Sequence, residues 1–325
     1  MTLLLTRDDI LPLLVMAEVI DAVEQGHADL SAGRAVHPSR ETVAVPGGQA
    51  LLVPMVAASP VSAAVKVMTD TPANRAKGLP VQQSLIVVVD GERGHHEAIL
   101  DGGAITRIRT AAASAVATRH LSLPGARTLG VVGAGGLALA HVRAIREVRP
   151  IERVLVWSRT RARAEGLARE LRAEGVQVEV CAGEEQVVRE ADIVCTLTPS
   201  RDAHVRGAWF HPGQHVNVVG APPRPDHREV DTEGIRRSRV VVDSRAVALE
   251  ESGDVLIPIA EGAVSADHCS TELGEVVTGT APGRRSPGDI TLFDSVGLGL
   301  QDLVTARLVI DRARAEGVGT ELVWA

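Results

Sequence analysis

Residues 127–160 read RTLGVVGAGGLALAHVRAIREVRPIERVLVWSRT, and this stretch decides the fold. Thr128-Leu129-Gly130-Val131-Val132 is short, apolar and β-branched, the pattern of a buried parallel strand. The turn that follows, Gly133-Ala134-Gly135-Gly136-Leu137-Ala138, fits G-x-G-x-x-G/A. In that pattern the first glycine makes the tight turn, the second admits a pyrophosphate close to the backbone, and a small third residue lets the helix sit against the strand. Leu137, Leu139, Val142 and Ile145 recur at helical spacing, so a helix N-terminus with its free N–H groups faces the phosphates. A second strand, Arg153 to Trp157, ends about 20 residues on, where a ribose is read. Strand, turn, helix and strand together favour dinucleotide binding over an ordinary tight turn.

The residues after the second strand select the cofactor. An NAD site carries Asp or Glu there, but this chain reads Trp157-Ser158-Arg159-Thr160, followed by Arg161 and Arg163. No carboxylate opposes a 2′-phosphate; Arg159 offers a planar fork, and Ser158 and Thr160 offer hydroxyls, so NADP(H) is the expected cofactor. The competing reading makes Arg159 to Arg163 solvated first-turn residues of the next helix.

Composition narrows the function classes. The 325 residues suffice for two domains, with 45% apolar and 23% charged residues and no disordered block. A net charge of −7 and only 2% aromatics argue against a nucleic-acid partner. No apolar run reaches a membrane span, and charges at Arg7, Asp8 and Asp9 come too early for a signal peptide, so no membrane association is expected. Cys181, Cys195 and Cys269 are far apart with no C-x-x-C, which predicts reduced thiols and a cytoplasmic location.

Along the chain, Leu3 to Leu5 read as a strand, Thr6 with Asp8 and Asp9 as a helix start, and Met16 to Ala32 as an amphipathic helix stopped by Gly33. Five strands follow at Thr42–Val45, Ala50–Val53, Ala63–Met68, Leu85–Val89 and Glu97–Leu100, joined by tight turns that predict an antiparallel sheet. Thr110 to Leu121 is a small-residue helix. From Thr128 the pattern becomes strand, helix, strand, with seven strands at Leu129–Val132, Val154–Trp157, Val176–Val180, Ile193–Leu197, Val216–Val219, Val240–Asp243 and Ile290–Phe293. Gly299 to Gly317 is a closing helix with Leu300, Leu303, Val304, Leu308 and Ile310 on its apolar side. The fold class is therefore α/β: a doubly wound parallel dinucleotide-binding sheet over residues 121–297, and an α+β domain over residues 1–120 completed by 298–325.

A dehydrogenase also needs a clamp for its substrate and a route for one proton. Lys66 lies in Ala63-Ala64-Val65-Lys66-Val67-Met68, a strand apolar on both faces, where an amine wants an anionic partner. Arg109 precedes the small-residue helix, and Arg40 lies in His37-Pro38-Ser39-Arg40-Glu41. Three cations with no obvious buried acid suggest a substrate carboxylate held among them; internal salt bridges or solvated side chains are the alternatives. His95-His96-Glu97 and His211 to His215 lack a third ligand at suitable spacing, so no metal is expected. Acyl transfer has no support, since no G-x-S-x-G elbow is present.

Several blocks taken in order carry a resemblance: Lys66-Val67-Met68, Asn74, Gly78-Leu79-Pro80, Asp101-Gly102, Ile105-Thr106, Arg109-Thr110-Ala111-Ala112, Gly133-Ala134-Gly135, Leu273-Gly274-Glu275, Thr291-Leu292-Phe293-Asp294-Ser295-Val296-Gly297 and Gln301-Asp302. Over nearly its whole length the chain resembles the ornithine cyclodeaminase/mu-crystallin family. The resemblance implies a Rossmann domain flanked by a substrate and dimerisation domain, a homodimer, substrate in the interdomain cleft, and Arg40, Lys66 and Arg109 on the amino-acid carboxylate. Thr110 joins Gly133, Ala134, Gly135, Gly136, Leu137, Ala138, Ser158, Arg159, Thr160 and Arg163 as a candidate cofactor residue. Cyclodeaminases carry an Asp two residues after the Gly that ends the fifth Rossmann strand. Here Gly220-Ala221-Pro222-Pro223-Arg224-Pro225-Asp226-His227-Arg228-Glu229-Val230-Asp231 puts Pro222 there and is closer to the ketimine-reductase and mu-crystallin branch, with one extra residue. Asp226 is expected to be a loop or helix-cap carboxylate.

The resemblance thus implies hydride transfer from NADPH to the C=N carbon of a small 2-imino acid, such as a cyclic ketimine carboxylate, giving an L-amino acid. Lys66, its pKa lowered by desolvation and neighbouring cations, or a bound water, would protonate nitrogen. An amino-acid or opine-type dehydrogenase, an NAD-dependent cyclodeaminase, and a mu-crystallin-like binding protein are the competing readings.

Overall fold

The computed structural model describes residues 1–323, apart from the side chain of Arg75, and the chain divides into two compact units. One runs from Met1 to Thr110 and resumes at Gly297; the other is Ala111–Val296. The division falls inside a single helix, Gly102–Leu121. That helix starts two turns before the expected Thr110. Ile105, Thr106 and Ile108 weaken the helical signal there, because β-branched side chains lose rotamer freedom in a helix. Asp101 anchors the new start by accepting from the Ala104 N–H at 2.9 Å.

The first unit holds strands β1 (Thr2–Leu5), β2 (Val43–Ala44), β3 (Leu51–Ala58), β4 (Ser62–Asp70), β5 (Gln82–Asp90) and β6 (His96–Asp101). Strands β2 to β6 form the expected antiparallel meander, but the sheet is mixed: β1 runs parallel to β6, and Thr320–Leu322 adds antiparallel to β1. A parallel pair needs a long crossover, and helix Met16–Ser31 with the whole meander supplies it. Thr6 opens the chain's first helical turn with a capping box to Asp9. Strand β3 continues through Pro54 because β2 covers only Leu51 and Leu52, leaving an edge where the missing N–H is tolerated. Alternation on β4 buries Ser62, Ala64 and Lys66 and turns Val67 outward, beside Leu85 on β5. Helix Gly299–Glu316 packs on the buried face of β3 and β4.

The second unit carries β7 (Thr128–Val132), β8 (Arg153–Trp157), β9 (Gln177–Val180), β10 (Ile193–Thr196), β11 (His215–Val218), β12 (Arg239–Val242), β13 (Thr271–Glu272) and β14 (Thr291–Asp294). They lie in the order β13-β12-β14-β11-β10-β7-β8-β9, all parallel, so the doubly wound sheet is present with an eighth, two-residue strand that had no sequence signal. Order reverses beside β7, with β8 on one side and β10 on the other, and in sheets of this kind ligands bind outside the carboxyl ends of the strands at that point. The three cysteines are buried and unpaired. Among the described residues no helix is long and apolar enough to cross a membrane.

Candidate active site

Within the first unit the structure brings Lys66 and Arg109 to one buried carboxylate, Asp302. Lys66 is 1% exposed and its Nζ donates to Asp302 Oδ1 at 3.2 Å and to Thr106 Oγ1 at 2.6 Å. Arg109 Nε donates to the same Oδ1 at 3.1 Å, and one of its terminal nitrogens donates to Gln301 Oε1 at 2.7 Å. Arg40 donates to the Gly297 carbonyl at 3.1 Å. Gly297 has φ +87°, and a Cβ there would stand 2.8 Å from the Arg109 guanidinium, so only glycine lets the two arginines share this corner. The expectation of cations without a buried acid is therefore corrected. Asp302 supplies the internal salt bridge that was the alternative reading for Lys66 and Arg109. It sits in the closing helix between Leu300 and Leu303, a charge out of pattern of the same kind that singled out Lys66.

His27 and Lys66 set the electrostatics. His27, on helix Met16–Ser31, is buried and held near pKa 4, first by burial and then by His37. Its neutral Nε2 accepts from the Gln301 amide at 3.2 Å, which turns the Gln301 oxygen toward Arg109. Burial lowers the Lys66 ammonium to about 8, with Arg109 and Arg40 pushing the same way and Asp302 opposing. A lysine at that value gives up a proton near neutrality, which an exposed one does not.

In the second unit, Gly133 follows β7 with φ +107°, its N–H donating to the Trp157 carbonyl at 2.8 Å, and a Cβ there would meet the Leu197 carbonyl at 2.8 Å. Nothing packs within 4 Å of a Cβ placed at Gly135 or Gly136, and helix Ala138–Val148 begins without a side-chain cap. Uncovered backbone N–H groups beside open space fit a pyrophosphate. Ser158 and exposed Arg159 lie between β8 and helix Arg161–Ala173, with Thr160 at its N-cap position. Arg161 pairs with Glu165 at 2.9 Å, whereas Arg159 has no ion-pair partner among the described residues. Arg163 is an exposed first-turn residue of that helix. The residues present fit a nicotinamide dinucleotide. Thr110 falls in the first unit, its hydroxyl donating to the Thr106 carbonyl at 2.7 Å.

Sequence reasoning also passed over a buried carboxylate at the strand ends. Glu229 is 0% exposed and accepts from Thr196 Oγ1 at 2.8 Å and from Thr198 N, Thr198 Oγ1 and Gly220 N at 2.6 Å each, which ties the end of β10 to the end of β11. Its place in Arg228-Glu229-Val230-Asp231 gave no sign of burial, since neighbouring charges suggested a surface loop. Asp226 is half exposed and pairs with Arg201 at 3.0 Å and His227 at 2.8 Å. Pro222 lines a small cavity together with Asp254, Asp294 and Ser295.

Asp294, at the end of β14, is 3% exposed, and burial, then Asp243 and Glu229, raise it to about 7. Its folded pKa lies above the unfolded value, so its contribution to stability is full below about 3.8 and is lost as pH rises through about 7. Asp294→Asn is therefore expected to stabilise the protein by about 1–3 kcal/mol at pH ~8 and by almost nothing at pH ~4. Urea midpoints at the two pH values check this, and an equal effect at both would refute it.

Comparison with known proteins agrees with this architecture. The ornithine cyclodeaminase/mu-crystallin family profile matches residues 1–317. Δ1-pyrroline-2-carboxylate reductase of Bacillus cereus is 35% identical over 311 residues, covering 94% of this chain and 95% of that protein. Ketimine reductase mu-crystallin of Mus musculus is 36% identical over 281 residues, covering 86% of each. The solved structure of Thermococcus litoralis Δ1-pyrroline-2-carboxylate reductase in complex with NADH and L-proline superposes with a TM-score of 0.94 at 36% identity, over 99% of this chain and 100% of that one. The chain belongs to the ornithine cyclodeaminase/mu-crystallin family. It is an oxidoreductase.

Proposed function

We propose that this protein reduces a small 2-imino acid, a cyclic ketimine carboxylate of the pyrroline- or piperideine-2-carboxylate type, to the L-amino acid with NADPH. The observation that carries the reading is the pairing of a buried, easily deprotonated Lys66 with Arg109 on one carboxylate, beside Arg40. The reductase names of the relatives, and the NADH and L-proline of the Thermococcus litoralis complex, support the same chemistry.

The first unit is the substrate-binding part and the second the cofactor-binding part. NADPH, when bound, supplies the hydride that the imine carbon takes up. Arg109 and Arg40 hold the substrate carboxylate, with Asp302 and Gln301 fixing the Arg109 fork in place. Lys66 Nζ, aimed by Thr106 and Asp302, gives its proton to the imine nitrogen, and the resulting amine is recharged from solvent. Carbon gains hydride and nitrogen gains a proton, so C=N becomes CH–NH. Two copies pair through the exposed apolar face of the sheet, where Val56, Val67 and Leu85 lie side by side.

Loss of NADPH absorbance against a panel of cyclic imino acids, and of 2-oxo acids with ammonia, tests the reaction. Turnover is expected to fall as pH rises through about 8, where Lys66 loses its proton. A Lys66→Ala protein with full turnover and an unchanged KM would overturn the assignment. Formation of proline from ornithine with catalytic NAD, and no imine reduction, would mark a cyclodeaminase instead.

Cofactor choice has its own test. Arg159→Ala is expected to lower kcat/KM for NADPH about 10- to 100-fold and leave NADH almost untouched, because a charge-assisted fork to the 2′-phosphate is lost. If the ratio of the two cofactors does not move, Arg159 is a solvated side chain.

A further inference from the structure

His37 lies three residues before Arg40, on the loop after helix Met16–Ser31. Its Nδ1 is 3.0 Å from the Val56 carbonyl. A carbonyl only accepts, so Nδ1 carries the hydrogen and donates it, which leaves a lone pair on Nε2. That Nε2 is shielded from solvent and has no hydrogen-bond partner among the described residues. The same carbonyl is 3.2 Å from the position of a Cβ on Gly299, at the first turn of the helix that carries Gln301 and Asp302. The ring therefore stands beside the charge network of Lys66, Arg109 and Asp302. A buried acceptor with no donor calls for a functional explanation.

The chemistry of the neighbours narrows the ligand. Arg40 and Arg109 disfavour a proton on the ring, Asp302 favours one, and burial, the largest influence, keeps it neutral. A lone pair repels a carboxylate, so this edge cannot be a fourth arm of the anion clamp. It accepts, and the complementary group on a protonated 2-imino acid or its product is the N–H.

We propose that His37 Nε2 accepts the N–H hydrogen bond of the nitrogen once Lys66 has protonated it, and thereby selects nitrogen-bearing acids over their oxygen counterparts. This rests on the imino-acid reading above and adds the residue that reads the reacting nitrogen. A 2-oxo acid or a cyclic ether acid presents the same carboxylate to Arg40 and Arg109 but no donor to His37.

The experiment uses the full-length protein reducing pyrroline-2-carboxylate, with L-proline and tetrahydrofuran-2-carboxylate as competing inhibitors. These two differ in one ring atom, a nitrogen with hydrogens against a bare oxygen. In the unmodified protein L-proline is expected to bind about tenfold tighter. His37→Leu should bring its inhibition constant to that of the ether and leave the ether's constant where it was, and His37→Gln, whose amide oxygen accepts, should restore part of the difference. An unchanged ratio in His37→Leu, or a parallel rise of both constants, would overturn the assignment, the second outcome marking a structural role. If the unmodified protein reduces no imino acid and neither compound inhibits it, the functional reading fails and this inference with it.

Discussion

Asp302→Ala is expected to lose about 3–5 kcal/mol of stability and essentially all turnover. Lys66 and Arg109 both lean on this one carboxylate, and both are buried. Removing it leaves two cations in a low-dielectric pocket, and a partner left behind costs far more than the intact pair ever contributed. Lys66 escapes by shedding its proton, since its pKa already stands near 8 and Asp302 is the group that holds it up. Arg109 has no such exit, because a guanidinium does not deprotonate in a protein. Asp302→Asn should keep the shape but neutralise Lys66, separating the two effects: a milder loss of stability with the same loss of proton delivery. Urea unfolding followed by circular dichroism gives the first quantity and NADPH consumption the second. A loss below about 1 kcal/mol in the alanine variant would mean that the network is solvated and Asp302 is ordinary.

Glu229→Gln should cost about 2–4 kcal/mol and weaken NADPH binding about tenfold. Four donors converge on the two carboxylate oxygens. Glutamine offers one acceptor and turns its NH2 toward donors that need acceptors, so whichever way the amide flips, one strand end is released. The ends at stake are those of β10 and β11, and Gly133 of the phosphate turn packs against Leu197 of the first. The loosened backbone lies under the proposed cofactor seat, which is why affinity falls with stability. Thermal melts and fluorescence titration with NADPH read the two effects, and native values of both would show that the carboxylate is dispensable.

The readable part of this chain was the part governed by local pattern. The strand–glycine turn–helix at Thr128–Ala138 and the seven parallel strands announce themselves because both faces of the sheet are covered, which leaves nearly continuous β-branched runs. Lys66 was visible as a charge in an apolar strand, and Arg109 and Arg40 as its companions. Their partner was not, because Asp302 is 236 residues away from Lys66 and no spacing rule reaches that far. Glu229 was hidden by its charged neighbours. The parallel pairing of β1 with β6 was hidden because a short strand does not reveal its direction.

The bond between Lys66 and Asp302 also orders events in time. During synthesis the meander that holds Lys66 leaves the ribosome long before residue 302 does, so for most of translation the lysine has no counter-charge to settle against. The first unit can be nucleated by its strands, but its buried face stays unfinished until the closing helix arrives. A chain released early, even with its parallel sheet complete, would carry an uncompensated lysine beneath an uncovered apolar surface. Placing the acid in the closing helix makes synthesis of that helix a condition for completing the site.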